Sequence, residues 1–243
     1  MAFNFTDKKT ARIAGLLYLA VVLTGIFSLA YVPKTLFEWD DPALTFHNIT
    51  ASETLFRLGI LSSIVCYISF LFMPMALYKL LKPVQAFYAG LMVVLAAASV
   101  PISLVNLQNK FAVLSLIGKD SYLRAYSAEQ LQGQTMFYLN QYDHGILLAS
   151  VFWELWLLPF GYLVYKSGFL PRALGILLML GCLGYLINFS GNMLIENYGE
   201  IGISKFIALP ATLGEIGICL WLLIIGTKQT DRSILKKSNA ADL

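Results

Sequence analysis

Two glutamates stand in the middle of long apolar runs. Glu154 is 11 residues from each end of the run 143–165, and Glu215 is 11 residues from each end of the run 204–226. At a helix rise of ~1.5 Å per residue, both carboxyls fall near the midplane of a hydrocarbon layer ~30 Å thick. A charged side chain at that depth costs on the order of 2.5–3.5 kcal/mol on insertion scales. A carboxyl escapes part of this cost by keeping its proton, because desolvation disfavours the charged form. Three uses fit such a pair: a site for a proton or a cation, a polar anchor for a ligand, or protonated groups hydrogen-bonded across helices as packing glue. The expectation is that both face the interior of a helix bundle, where hydroxyls such as Ser150 or Thr212 are available.

Further polar residues lie toward one end of the same runs. Asn106, Gln108, Asn109, Asp143, His144, Asn188 and Asn192 are placed to line a pocket, or simply to sit at the interfacial ends of helices. Arg57 begins another run. It is roughly nine residues from the level of the glutamates, or ~13 Å, which suits a snorkelling interfacial residue better than a buried partner. The candidate intramembrane polar site is therefore Glu154, Glu215, Arg57, Asn106, Asp143, His144 and Asn188. His144 has no second ligand at helical spacing, and Cys66, Cys182 and Cys219 are isolated in apolar surroundings, so no metal site and no disulfide are expected. No HExxH, GxSxG, phosphate-binding loop or dinucleotide fingerprint occurs. The sequence thus names no catalytic residue and no cofactor.

The elements that carry these residues are six apolar runs: 12–32, 55–81, 84–108, 143–165, 172–194 and 204–226. Each exceeds the ~20 residues that a transmembrane helix requires. Strands are excluded, because spanning strands are short and alternate in polarity. Composition agrees: the chain is 58% hydrophobic and 13% charged, against roughly 25% charged in soluble domains, and its mean hydropathy is +0.70. The fold class is all-α, a single six-helix membrane domain over residues 1–243. No basic arm or basic–aromatic patch supports nucleic-acid binding; the lipid bilayer is the partner, and a homo-oligomer is compatible.

Charge placement orients the helices. Lys8, Lys9, Arg12, Lys79, Lys82, Lys166, Arg172, Lys228, Arg232, Lys236 and Lys237 fall on one side, and Lys34, Arg57, Lys110, Lys119, Arg124 and Lys205 on the other. The richer side is cytoplasmic by the positive-inside rule, which puts both termini in the cytoplasm. Segment 109–142 then becomes the longest outer loop. Within it Ser127-Ala128-Glu129-Gln130 fits a capping box, opening a short amphipathic helix that carries Leu131, Met136, Tyr138 and Leu139 and runs into the fourth span. On the cytoplasmic side Lys82-Pro83 and residues 166–172 make tight turns. Gly168 suits a helix C-cap and Pro171 the next helix start. Two pairs, Pro74 with Gly90 and Pro159 with Gly175, share a spacing of 16 residues around these turns, a faint internal repeat.

Residues 161–175, Gly-Tyr-Leu-Val-Tyr-Lys-Ser-Gly-Phe-Leu-Pro-Arg-Ala-Leu-Gly, resemble the central signature of the bacterial domain of unknown function 4386 family. Residues 11–19, 128–132, Gly214-Glu215, 220–223 and Gly226 are similar to other pieces of it. The resemblance implies a multi-pass protein of the bacterial inner (cytoplasmic) membrane and brings no activity with it. From the residues themselves, the leading expectation is a non-enzymatic protein that binds or transports a small apolar molecule through an intrabundle cavity. The in-helix prolines Pro74, Pro101, Pro159 and Pro210 would help to open that cavity. The alternatives are a structural or accessory membrane subunit with the carboxyls as packing glue and, more remotely, an intramembrane enzyme using Glu154, Glu215, Asp143 or His144.

Overall fold

A computed structural model describes residues 5–118, 120–196 and 198–227 of the chain. Lys119, Lys228, Arg232, Lys236 and Lys237, used above to orient the helices, lie outside the described residues, as does the side chain of Lys205. Among the described residues every regular element is helical. Six helical segments are long and apolar enough to cross a membrane: Lys8–Leu36, Glu53–Leu81, Ala86–Leu116, Ala128–Lys166, Arg172–Leu194 and Phe206–Ile224. The protein is a multi-pass helical membrane protein.

Several spans are interrupted where the sequence removes backbone donors or crowds the turn. The first consists of α1 (Phe5–Ile26), a π-helical turn (Phe27–Tyr31) and α2 (Val32–Leu36), with Pro33 just inside α2. After α3 (Pro42–Ala51) comes the unbroken second span, α4 (Glu53–Leu81). The third is α5 (Ala86–Asn106) followed by α6 (Gln108–Leu116), and the fourth is α7 (Ala128–Leu155) followed by α8 (Leu157–Lys166). Pro159 has no N–H to offer the Leu155 carbonyl four residues back, so the helical ladder lapses there. The last two spans are α9 (Arg172–Leu194) and α10 (Ile203–Ile224).

The segment between the third and fourth spans is more helical than its length in the sequence suggests. Residues 117–127 alone lie outside α6 and α7, and these include a 3-10 turn at Ser121–Ala125. The reason is burial. Val113 on α6 and Met136 and Leu139 on α7 join Val32, Leu36, Ile49, Phe56 and Ile60 in one apolar cluster, which gives both helices a reason to continue. The capping box forms: the Ser127 N–H donates to Gln130 Oε1 at 2.8 Å, and the Gln130 N–H donates to Ser127 Oγ at 3.3 Å. Helix α3, between the first two spans, has its own start signal. Asp41 accepts from the Leu44 N–H at 2.9 Å, and Pro42 occupies the first turn.

The chain divides into two compact units. The first comprises Met1–Leu16, Met73–Leu95 and Glu154–Leu243; the second comprises Leu17–Phe72 and Ala96–Trp153. In the first unit α9 packs against both α8 and α10. The α8–α9 hairpin turns at Gly168, whose φ of 71° suits glycine, and Ser167 Oγ accepts from the Leu170 N–H at 3.1 Å. The helices then cross at Gly161 and Gly175: a Cβ on Gly161 would stand 2.7 Å from the Gly175 carbonyl oxygen. Only residues without a side chain allow that approach. The family-like stretch 161–175 is therefore a backbone-to-backbone crossing with its turn. Gly90, which shares the 16-residue spacing, meets nothing within 4 Å and has no such role.

Candidate functional site

Glu154, near the end of α7, and Tyr185, on α9, both belong to the first unit. Glu154 occupies the last full turn of α7, immediately before the interruption at Trp156, and is 7% exposed. Beyond the break the Trp156 and Phe160 rings stack at 5.0 Å and, with Leu157, are buried. Glu215 lies midway along α10 and is half-buried. Between them in the chain, α9 contributes Tyr185, whose hydroxyl lies within electrostatic reach of both Glu215 and Glu154 and is in hydrogen-bond contact with the Thr212 side chain. Cys182, one turn before Tyr185 on α9 and buried, is also within electrostatic reach of Glu154.

The close approach of α9 and α10 makes this geometry attainable. A Cβ at Gly181 would stand 2.6 Å from the Ala211 Cα, and one at Gly214 would stand 3.1 Å from the Leu178 backbone nitrogen. Small residues therefore bring the two backbones together around Thr212 and within two turns of Tyr185, where lipid offers no hydrogen-bond partners. The arrangement is a phenol within electrostatic reach of two carboxyls. Such a group can share and pass protons, or present oxygen acceptors to a cationic or hydrogen-bond-donating ligand.

The remaining sequence-selected residues fall elsewhere. Asn188 accepts from the Tyr198 hydroxyl at 3.0 Å through its side-chain oxygen, and its carbonyl accepts from the Asn192 amide at 2.8 Å. It fastens the turn after α9, with the Tyr198 ring against Gly191. Arg57 is exposed, and its Nε donates to Glu53 Oε1 at 2.6 Å on the same face of α4. Ser150 is turned back on its own helix, donating to the Leu147 carbonyl. Among the described residues no group of three His, Cys, Asp or Glu side chains is placed to hold a metal. The three cysteines are free and buried.

Asn106, Asp143 and His144 belong to the second unit, where a second polar layer is found. The Asn106 side-chain amide is buried and donates to the Tyr142 carbonyl at 2.7 Å; Asn109 donates to Asn106 Oδ1 at 3.0 Å. One turn on, Lys110 is 1% exposed, with Nζ 4.0 Å from the centre of the Tyr142 ring. The Tyr142 and Tyr67 hydroxyls are 3.4 Å apart, and the Ser63 side chain stands beside both. Tyr67 in turn stacks on Trp153 at 6.1 Å. Asp143 and His144 are exposed beside this layer.

Sequence reasoning missed Lys110, Tyr142, Tyr67, Ser63 and Tyr185. For Lys110 a signal existed: Ser99, Ser103, Asn106, Lys110 and Val113 recur at helical spacing, and all five are buried. A lysine at the end of an apolar run reads as part of the flank. The tyrosines carried no such signal, since an aromatic in a membrane helix packs or anchors far more often than it binds.

Comparison with known proteins places these features in a broader setting. A family model described as a domain of unknown function (DUF4386) matches residues 13–226. An uncharacterized protein of Archaeoglobus fulgidus is 35% identical over 88 residues, covering 35% of this chain and 48% of that protein, so the match spans about half of the curated relative. No solved structure matches.

Proposed function

This chain belongs to the domain of unknown function 4386 family, and we propose that it binds a small, largely apolar molecule within its helices, in the inner (cytoplasmic) membrane of a bacterium. Glu154, Tyr185 and Glu215 form the polar anchor of that site and exchange its proton. The observation that carries this reading is Tyr185, a single phenol within reach of two carboxyls on different spans. The helix interruption beside Glu154 supports it as well, since broken helices at membrane depth are tolerated where they line a site or are enclosed by protein.

Dicyclohexylcarbodiimide, an apolar reagent that modifies protonated carboxyls, tests the proposal directly. Mass spectrometry of the intact protein should show adducts on the wild type that diminish as the pH is raised from mildly acidic to alkaline. Glu154→Gln and Glu215→Gln should each remove part of the labelling, and Tyr185→Phe should shift its pH dependence. Small apolar molecules that slow the labelling identify the ligand class. Labelling indifferent to both glutamine substitutions would leave the carboxyls as packing groups only.

Orientation is proposed with both termini cytoplasmic, on the positive residues. Cysteines introduced at Ser121 or Arg124, both exposed, should react with an impermeant maleimide added to whole cells. A cysteine at Lys166, exposed in the α8–α9 turn, should react only after the membrane is opened. Lys166 is a better probe than its neighbour Ser167, which is buried and would resist labelling from either side. The opposite pattern would invert the topology.

A further inference from the structure

We propose that Lys110, Tyr142, Tyr67 and Ser63 form a second site in the second unit, one that takes the carboxylate or phosphate oxygen of a bound molecule. The argument is an inventory of donors and acceptors. Ser63 donates to the Gly59 carbonyl at 3.0 Å, the contact between the Tyr67 and Tyr142 hydroxyls uses one phenolic proton, and the Asn106 amide is committed to the Tyr142 carbonyl. The oxygen of Asn106 already accepts from Asn109. Lys110 brings three ammonium protons into this layer, where among the described residues it meets the face of the Tyr142 ring. Among the described residues no carboxylate is within ion-pairing distance of its nitrogen, and Asp143, the carboxylate whose field reaches Lys110, is exposed to the side. The layer thus holds a buried cation that no carboxylate among the described residues pairs with, and the partner it lacks is an anionic oxygen.

The surroundings bear on where such an anion would come from. On each of the three helices the next inward-facing residue toward the 117–127 loop is apolar: Ile60 beyond Ser63, Val113 beyond Lys110 and Leu139 beyond Tyr142, all in one buried cluster. The Lys110 layer is thus roofed by hydrocarbon on the loop side, while Tyr67 leads to the Trp153 ring on the other. This favours an anion attached to an apolar body and delivered from the membrane, over a small free anion arriving from water.

The test uses the full-length protein purified in a neutral, non-ionic detergent, with the melting temperature as readout. Saturating oleate should raise the melting temperature by about 5 °C or more, the shift expected for a ligand far above its dissociation constant in a chain of this size. Methyl oleate, which lacks the charge, should not. Acetate and inorganic phosphate separate the sources: a response to oleate alone supports a membrane amphiphile, and a Lys110-dependent response to either small anion supports the same site filled from water. Lys110→Met should abolish the response, and Lys110→Arg, which keeps the cation, should retain it. If Lys110→Met does not fold, the comparison of Lys110→Arg and Tyr142→Phe with wild type decides, since the site requires the first to respond and the second to respond less. Equal shifts with methyl oleate, an unchanged response in Lys110→Met, or no response to any anion would each overturn the proposal.

Discussion

Leucine at Gly145 is expected to be among the most damaging single changes in the second unit. A Cβ at this position would overlap the side-chain amide of Asn106 outright, so the amide must leave. With it goes the 2.7 Å bond to the Tyr142 carbonyl that ties the third span to the fourth. Overpacking costs about 1–3 kcal/mol and the lost hydrogen bond about 0.5–1.5 kcal/mol, which together lower the melting temperature by on the order of 10 °C. Pairing the change with Asn106→Ala should recover part of the loss, because the alanine vacates the space. A Gly145→Leu protein that melts with wild type would show that the two spans do not meet in this way.

Leucine at Gly181 is expected to do comparable harm in the first unit, and to do it through backbone. Its Cβ would stand 2.6 Å from both the Cα and Cβ of Ala211, and neither helix can yield locally. The α9–α10 crossing must open, at a cost of about 1–3 kcal/mol or more. The consequence reaches the site, for Tyr185 is one turn from Gly181 and Glu215 one turn from Ala211. Carbodiimide labelling of Glu215 should therefore change together with the melting temperature. Gly90→Leu is the control: nothing lies within 4 Å of a Cβ there, so an equally large loss from that variant would mean that leucine in any span is harmful and that the crossing is not special.

The six spans were legible because hydrophobic length is a local property. The turn between α8 and α9 was legible for the same reason: Gly168 and Pro171 act on their own backbone, and the structure gives Gly168 a φ of 71° and makes Pro171 the residue before α9. What escaped reading depends on partners far away in the chain. Tyr185 gains its meaning from residues 31 positions before and 30 after it, and no local periodicity distinguishes it from Tyr162 on α8, whose ring lies tilted against that of Tyr88 at 4.6 Å. The start of α7 was legible from its capping box, which acts on its own backbone, whereas the helical extension Gln108–Leu116 escaped because polar residues mark its sequence as loop, while its few apolar residues find a core supplied by α2, α3 and α4.

The buried stripe on the third span also bears on how the protein is made. Ser99 and Ser103 satisfy themselves by donating to the carbonyls of Ala96 and Ser99 in their own helix. Asn106 and Lys110 cannot, and both find their contacts on Tyr142, synthesised more than thirty residues later. When the third span first leaves the insertion machinery, a cation near its end has only lipid or the channel wall beside it, at a cost on the order of 2.5–3.5 kcal/mol for a charge at mid-depth and less toward the interface. Pairing with the fourth span removes that cost, because it puts Lys110 under the ring that shelters it.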